Sequence, residues 1–241
     1  MVNKVLNKTK VKIYADGASI KEFKKFNKLK IIKGFTTNPS LMKKNKIISY
    51  KNFAIQVSKI VAPKPISFEV ITDDLNEMYD QAMTISSWNK NIFVKIPIVN
   101  SRGVSTINVI TKLLSKNIKC NVTAIFDISQ LKPFKLIEKT RTKLILSVFC
   151  GRIADSGINP ILKVRKFLKK FKKNKKIEIL WASTREPFSI INADNIGCHI
   201  ITVPTEMLPK LKLFGKNNIQ YSLETAKAFL KDAQNSKYII K

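Results

Sequence analysis

The hydrophobic positions of this chain gather into eight short runs, at 11–15, 30–35, 66–71, 92–96, 119–125, 144–149, 177–182 and 199–203. Several, such as Leu144-Ile145-Leu146-Ser147-Val148-Phe149, are nearly continuous rather than alternating. Parallel strands read this way when helices cover both faces of the sheet. Between the runs, apolar residues return at helical spacing: Phe53, Val57 and Ile60; Ile107, Ile110 and Leu114; Ile161, Val164 and Leu168. Ser19 and Asp73 stand where helix N-caps are expected. Eight strands alternating with helices predict an α/β protein, a (β/α)8 (TIM) barrel. An open doubly wound sheet is the alternative. No Gly-x-Gly-x-x-Gly follows the first run, so a dinucleotide-binding fold gains no support. After the eighth run, 208–217 reads as loop or short helix. Residues 221–237 read as an extra C-terminal amphipathic helix with Leu223, Ala226, Phe229 and Leu230 on one face. That helix is surplus to the eightfold unit and is expected to pack across the barrel or onto a neighbouring subunit.

A length of 241 residues suits one such barrel, so 1–241 is expected to be a single domain. The charge balance is less ordinary, with 45 Lys and Arg against 16 Asp and Glu, a net +29. Such a chain suits nucleic acid, an anionic membrane or phosphorylated substrates. The lysines are spread along the chain, however, and Lys, Asn and Ile are abundant together, as AT-rich coding produces. The densest basic run, 169–176, sits at the end of a helical segment and no nucleic-acid motif accompanies it, so no nucleic-acid partner is expected. Polar sequence follows the first residues and no long apolar span appears. The expectation is a cytoplasmic protein with no membrane association. Cys120, Cys150 and Cys198 are odd in number, far apart and set in apolar runs, which suits small hydrophobes rather than a disulfide or zinc site. His199 is the only histidine and lies in a strand-like run. That excludes Ser-His-Asp chemistry and histidine metal clusters.

Barrel chemistry gathers where strands end. The first run ends in Asp16, the second in Thr36-Thr37-Asn38-Pro39-Ser40, and the third carries Glu69. The fourth carries Lys95, the fifth Thr123, the sixth ends in Phe149-Cys150-Gly151-Arg152 and the seventh in Ser183-Thr184-Arg185. Any one of these suits a structural ion pair. Together, two acids and a lysine among apolar residues need one another as partners. A lysine in an apolar barrel loses solvation, which favours the neutral amine that attacks carbonyls to form an imine. Asp16 suits a proton shuttle. Glu69 and Thr123 suit holding a water, and Asn38 suits donating to substrate hydroxyls. Arg152 and Arg185, with Ser183, suit gripping a phosphate.

Four of these pieces, Gly34-Phe35-Thr36-Thr37-Asn38-Pro39-Ser40, Val94-Lys95-Ile96-Pro97, Asn121-Val122-Thr123 and Gly151-Arg152-Ile153, resemble in order and spacing the transaldolase family. Within that family the chain is most similar to the short subgroup related to fructose-6-phosphate aldolases. The resemblance runs from 13 to about 211. It implies that Lys95 is the Schiff-base nucleophile, Asp16 the acid/base, and Glu69 with Thr123 the holder of the catalytic water. It further implies that Asn38, beside Thr37, contacts a bound dihydroxyacetone unit, and that Arg152, Ser183 and Arg185 bind phosphate. No metal and no organic cofactor is implied. Glu69 and Phe149 resemble transaldolases, whereas the fructose-6-phosphate aldolases typically carry Gln and Tyr there. Since Phe149 lacks the hydroxyl that helps water reach the imine, the resemblance implies transfer to an aldehyde acceptor.

Ile98-Val99-Asn100-Ser101-Arg102-Gly103, Thr184 and Ser147-Val148-Phe149 depart from the usual pattern and leave the sugars open. Arg102 reads as either an anion contact or a solvent-facing helix start. The implied activity is transfer of dihydroxyacetone between sugar phosphates, as in the pentose phosphate pathway. Alternatives are a fructose-6-phosphate-aldolase-like enzyme, a related enzyme acting on an unusual sugar in surface-polysaccharide synthesis, and a non-catalytic nucleic-acid-binding barrel. Short members of the family imply a homo-oligomer: a dimer, a pentamer or a decamer.

Overall fold

Eight parallel strands close on themselves in the computed structural model, which describes Leu6 and residues 8–131, 137–236 and 238–240. They are β1 (Lys12–Asp16), β2 (Ile32–Thr36), β3 (Ile66–Glu69), β4 (Ile92–Pro97), β5 (Cys120–Ile125), β6 (Leu144–Val148), β7 (Ile177–Trp181) and β8 (Ile200–Pro204). Each pairs with the next in chain order, and β8 pairs with β1. Every apolar run of the sequence overlaps one strand, with ends shifted by at most two residues. The fold is therefore a (β/α)8 barrel.

Helices carry most of the return connections: α1 (Ile20–Asn27), α2 (Pro39–Lys44), α3 (Tyr50–Val61), α4 (Leu75–Ser87), α5 (Ile107–Ser115), α6 (Cys150–Asp155), α7 (Pro160–Phe171) and α8 (Ser189–Asn195). Between β5 and β6 the described residues form only two 3₁₀ turns, Ile128–Leu131 and Ile137–Lys139, so the alternation is not strict there. Ser19 caps α1 by accepting from the Glu22 amide at 3.3 Å. The expected cap at Asp73 is corrected to Asp74, whose Oδ1 accepts from the Asn76 and Glu77 amides at 2.9 Å each. Asp73 turns the other way, taking the Ser101 amide and hydroxyl at 2.7 and 2.8 Å. Of two adjacent carboxylates, only the later one reaches the second and third helical amides.

Helix faces pack on the outside of the barrel through rings such as Phe23 on Phe35, with centroids 5.1 Å apart. A second apolar cluster, Tyr14, Phe93, Ile145, Leu180, Ala182 and Ile200, joins residues of five strands. Gly34 makes room for it, since a Cβ there would sit 2.5 Å from the Tyr14 ring. The three cysteines are free and buried, and burial pushes the Cys120 and Cys198 thiols up to about 12, which leaves them unreactive.

After the 3₁₀ turn Leu208–Leu213 comes α9 (Asn218–Ser236). None of its residues is buried, and Phe229 and Leu230 are 69% and 61% exposed. The expectation that it crosses the barrel is thus corrected: among the described residues, nothing covers the apolar face. No described helix is long and apolar enough to cross a membrane.

His199 lies just before β8, and its Nδ1 accepts the Ile179 amide proton at 3.0 Å. Burial, the larger cause, and the Lys12 charge lower its pKa, while Glu178 works against them. Protonation makes Nδ1 a donor and breaks the bond. The unfolded chain therefore binds this proton more readily than the folded one. The stabilising contribution is complete above about 6.5 and shrinks as pH falls below it. Because this is the only histidine, its ring resonances report it directly. The ring is expected to titrate below 6.5 in the folded protein, and an NMR titration at or above that value contradicts the assignment.

Candidate active site

Side chains alternate between the two faces of a strand, so residues two apart share the lumen. One step above the apolar cluster, Tyr14 gives way to Asp16, Phe93 to Lys95, Ile145 to Ser147 and Ile200 to Thr202. The same periodicity thus builds an apolar floor and a polar layer over it, at the C-terminal strand ends.

Lys95 is 8% exposed. Its Nζ lies 3.0 Å from Oε2 of Glu69, its register partner on β3, and donates to the Thr37 carbonyl at 3.3 Å. Asp16 accepts from Thr36 Oγ1 at 2.6 Å, and Thr36 Oγ1 is 2.5 Å from Thr202 Oγ1. A hydroxyl has one proton, and that of Thr36 goes to Asp16, so Thr202 donates to Thr36. Burial holds the Asp16 carboxyl above the usual carboxylate range, although the Lys95 charge and the Thr36 bond pull the other way. On the opposite wall Ser147 donates to Asn121 Oδ1 at 2.6 Å, and Asn121 Nδ2 donates to Ser67 at 3.0 Å.

Among the described residues, two buried hydroxyls beside this network have no partner, Thr37 Oγ1 and Thr123 Oγ1. Leaving a buried hydroxyl unpaired costs about 1–3 kcal/mol. Thr123 lines a cavity of about 210 Å³ with Asp16, Asn38, Lys95, Phe149, Arg152, Ser183 and Arg185. Eight of the ten residues singled out in the sequence thus share one wall. The other two, Glu69 and Thr37, touch Lys95 from outside the lining. Thr36, Thr202, Asn121 and Ser147 also line it and were not singled out. The same period-two pattern that finds Lys95 points to them.

Asn38 is the N-cap of α2, its Oδ1 accepting from the Leu41 amide at 2.9 Å, which leaves its amide donors for the cavity. Arg152 lies over the Phe149 ring, 5.4 Å from its centroid. Arg185 is paired with Asp155 at 2.6 Å, both about half exposed. Arg102 is excluded from this wall: it is exposed and 3.7 Å from Asp73. Among the described residues no three His, Cys, Asp or Glu side chains are grouped to hold a metal ion.

The β6 and β7 ends interlock. Ser183 holds a left-handed φ of 61°, and a Cβ on Gly151 would lie 1.6 Å from the Ser183 carbonyl oxygen. Backbone cannot move aside as a side-chain tip does. Gly151→Ala is expected to destabilise the protein by about 1–3 kcal/mol or more and to push the Arg152 and Ser183 loops apart. Thermal melting checks this, and an unchanged melting temperature contradicts it.

The family model described as transaldolase/fructose-6-phosphate aldolase matches residues 13–239. A protein of Clostridium kluyveri named "Probable transaldolase" is 34% identical over 204 residues, covering 83% of this chain and 89% of its own. One of Dehalococcoides mccartyi with the same name is 30% identical over 202 residues, covering 83% and 90%. Among solved structures, orotidine 5'-monophosphate decarboxylase from Metallosphaera sedula superposes with a TM-score of 0.53 at 10% identity, covering 84% of this chain and 95% of that one. That likeness concerns the barrel alone.

Proposed function

Because this chain belongs to the transaldolase/fructose-6-phosphate aldolase family, whose members are aldolase-type enzymes, we propose that it is a class I transaldolase moving a dihydroxyacetone unit from a ketose phosphate to an aldose phosphate through an imine on Lys95. The observation that carries this reading is the buried Lys95 amine, in one cavity with Asp16 and in contact with Glu69.

In the proposed reaction the ammonium first gives its proton to Glu69, 3.0 Å away. The neutral amine adds to the ketose C2 carbonyl, and the carbinolamine loses water to form a protonated imine. Asp16 takes the proton from the C4 hydroxyl as the C3–C4 bond breaks. The bond electrons pass to the imine, giving an enamine, and the aldehyde leaves. Attack of the enamine on an acceptor aldehyde, with Asp16 returning its proton, reverses these steps, and water releases the new ketose. The raised Asp16 pKa suits a group that must both hold and release a proton. The unpartnered Thr123 hydroxyl suits holding the water that leaves and returns. Phosphate displaces Asp155 from Arg185 at small cost, since exposed pairs contribute about 0–1 kcal/mol. Phe149 packs against Phe126, centroids 5.8 Å apart, and offers no hydroxyl to bring water to the imine, which favours transfer over release of dihydroxyacetone.

Borohydride reduction with fructose 6-phosphate, followed by peptide mass mapping, tests the imine. The expected adduct is on Lys95, and failure to trap it with any three-carbon ketone donor overturns the reading. Steady glyceraldehyde 3-phosphate release without an acceptor, as fast as transfer, favours simple aldol cleavage instead. The exposed face of α9 supports one further part of the reading, a homo-oligomer in which another copy covers it. Light scattering distinguishes a dimer, a pentamer or a decamer from a monomer.

A further inference from the structure

A larger cavity opens at the other end of the barrel. It has a volume of about 640 Å³, against about 210 Å³ around Lys95, and falls within the roughly 300–1,000 Å³ of small-molecule sites. Its wall is built where strands begin. Lys12 opens β1, Lys33 is the second residue of β2, and Lys90, Lys119 and Lys143 precede β4, β5 and β6. Closing the sheet into a barrel brings these five ammonium groups, far apart in sequence, around one mouth. The single carboxylate in the lining, Glu178, is taken by Lys12 at 2.6 Å. Five lysines less one glutamate leave four uncompensated positive charges.

We propose that this N-terminal mouth binds a small oligophosphate, a molecule carrying two or more linked phosphate groups, through Lys33, Lys90, Lys119 and Lys143. The ammonium groups are point charges with rotatable donors, suited to phosphate oxygens. The floor is the underside of the apolar layer, Tyr14 and Phe93, with Pro63 and Pro65 on the side. A concave site with low-dielectric walls focuses the field of its charges far more than a convex surface does. The lysines already repel one another: burial and then the Lys143 charge lower the Lys119 pKa, and burial and then the Lys33 charge lower that of nearby Lys64. Lys119 is fixed by donating to the Lys90 carbonyl and by lying 5.3 Å from the Phe93 ring centroid. A bound polyanion relieves the repulsion. The run 169–176 carries six lysines, one more than the mouth, but lies at the end of α7 and in the turn after it, and none of its residues lines this cavity.

The test is calorimetric titration of the full chain with inorganic tripolyphosphate, ATP and inorganic phosphate. Saturable one-site binding is expected, with tripolyphosphate at least about tenfold tighter than phosphate. The Lys33→Gln/Lys90→Gln/Lys143→Gln variant is expected to lose about tenfold or more in affinity for tripolyphosphate. A matched variant, Lys169→Gln/Lys172→Gln/Lys173→Gln, changes net charge equally and is expected to lose less than about twofold. ATP binding tighter than tripolyphosphate identifies a nucleotide as the natural form, and equal affinity identifies the phosphate chain alone. No saturable binding, equal losses in the two variants, or tighter binding of a single-stranded RNA oligonucleotide than of tripolyphosphate overturns the proposal.

Discussion

Lys95→Arg is expected to lose turnover by on the order of 10⁴-fold or more while the barrel stays folded. A guanidinium is protonated at any working pH and adds to no carbonyl. It keeps the positive charge that Glu69 meets at 3.0 Å and that Asp16 feels through the same cavity. The folded state therefore loses little beyond repacking of a larger head group. Lys95→Met removes the charge as well. Glu69, whose side chain is 18% exposed, is then left without its cation, and a cost of about 1–3 kcal/mol is expected, below the usual range for fully buried pairs. The two variants separate chemistry from stability. Both lack borohydride trapping, and only Lys95→Met melts markedly lower. Turnover of Lys95→Arg within tenfold of the parent removes the imine from the mechanism.

The strands and the lysine were legible for the same reason. Buried parallel strands are near-continuous apolar runs, so Lys95 between Val94 and Ile96, or Glu69 after Phe68, stands out by polarity alone. Lengths mattered elsewhere. Pro39–Lys44 and Cys150–Asp155 are each six residues, under two helical turns, and too short to show a period. Pairings between distant residues were not legible at all. Thr36 and Thr202 meet across 166 positions, and Arg185, on the cavity wall, is paired with Asp155 30 positions away. Nothing local in either partner announces the other. The α9 stripe shows the opposite limit: a helical period says which face is apolar and not what covers it. The lysine excess behaves likewise. Spread along the whole sequence, it reads as background, and only barrel closure shows that part of it converges on one mouth.

Thr123→Val is expected to lower kcat by on the order of 10²-fold while leaving stability unchanged or raising it by about 1 kcal/mol. Valine has the shape of threonine, and the Thr123 hydroxyl has no partner to lose, so the folded protein sheds an unpaired buried group. A structural threonine behaves the other way. Thr36→Val breaks the bonds to Asp16 and Thr202 and is expected to lower both stability and activity. If Thr123 holds the water of the carbinolamine steps, its loss slows imine formation and hydrolysis more than carbon–carbon cleavage. Borohydride trapping should then build up more slowly in Thr123→Val, with KM for the phosphorylated donor nearly unchanged because Arg152 and Arg185 are untouched. Two positions, 36 and 123, both on the cavity wall and both threonine, are thereby told apart by whether their hydroxyls are already spoken for. A Thr123→Val enzyme with parental kcat assigns the unpartnered hydroxyl no part in the reaction and leaves the water to Glu69 alone.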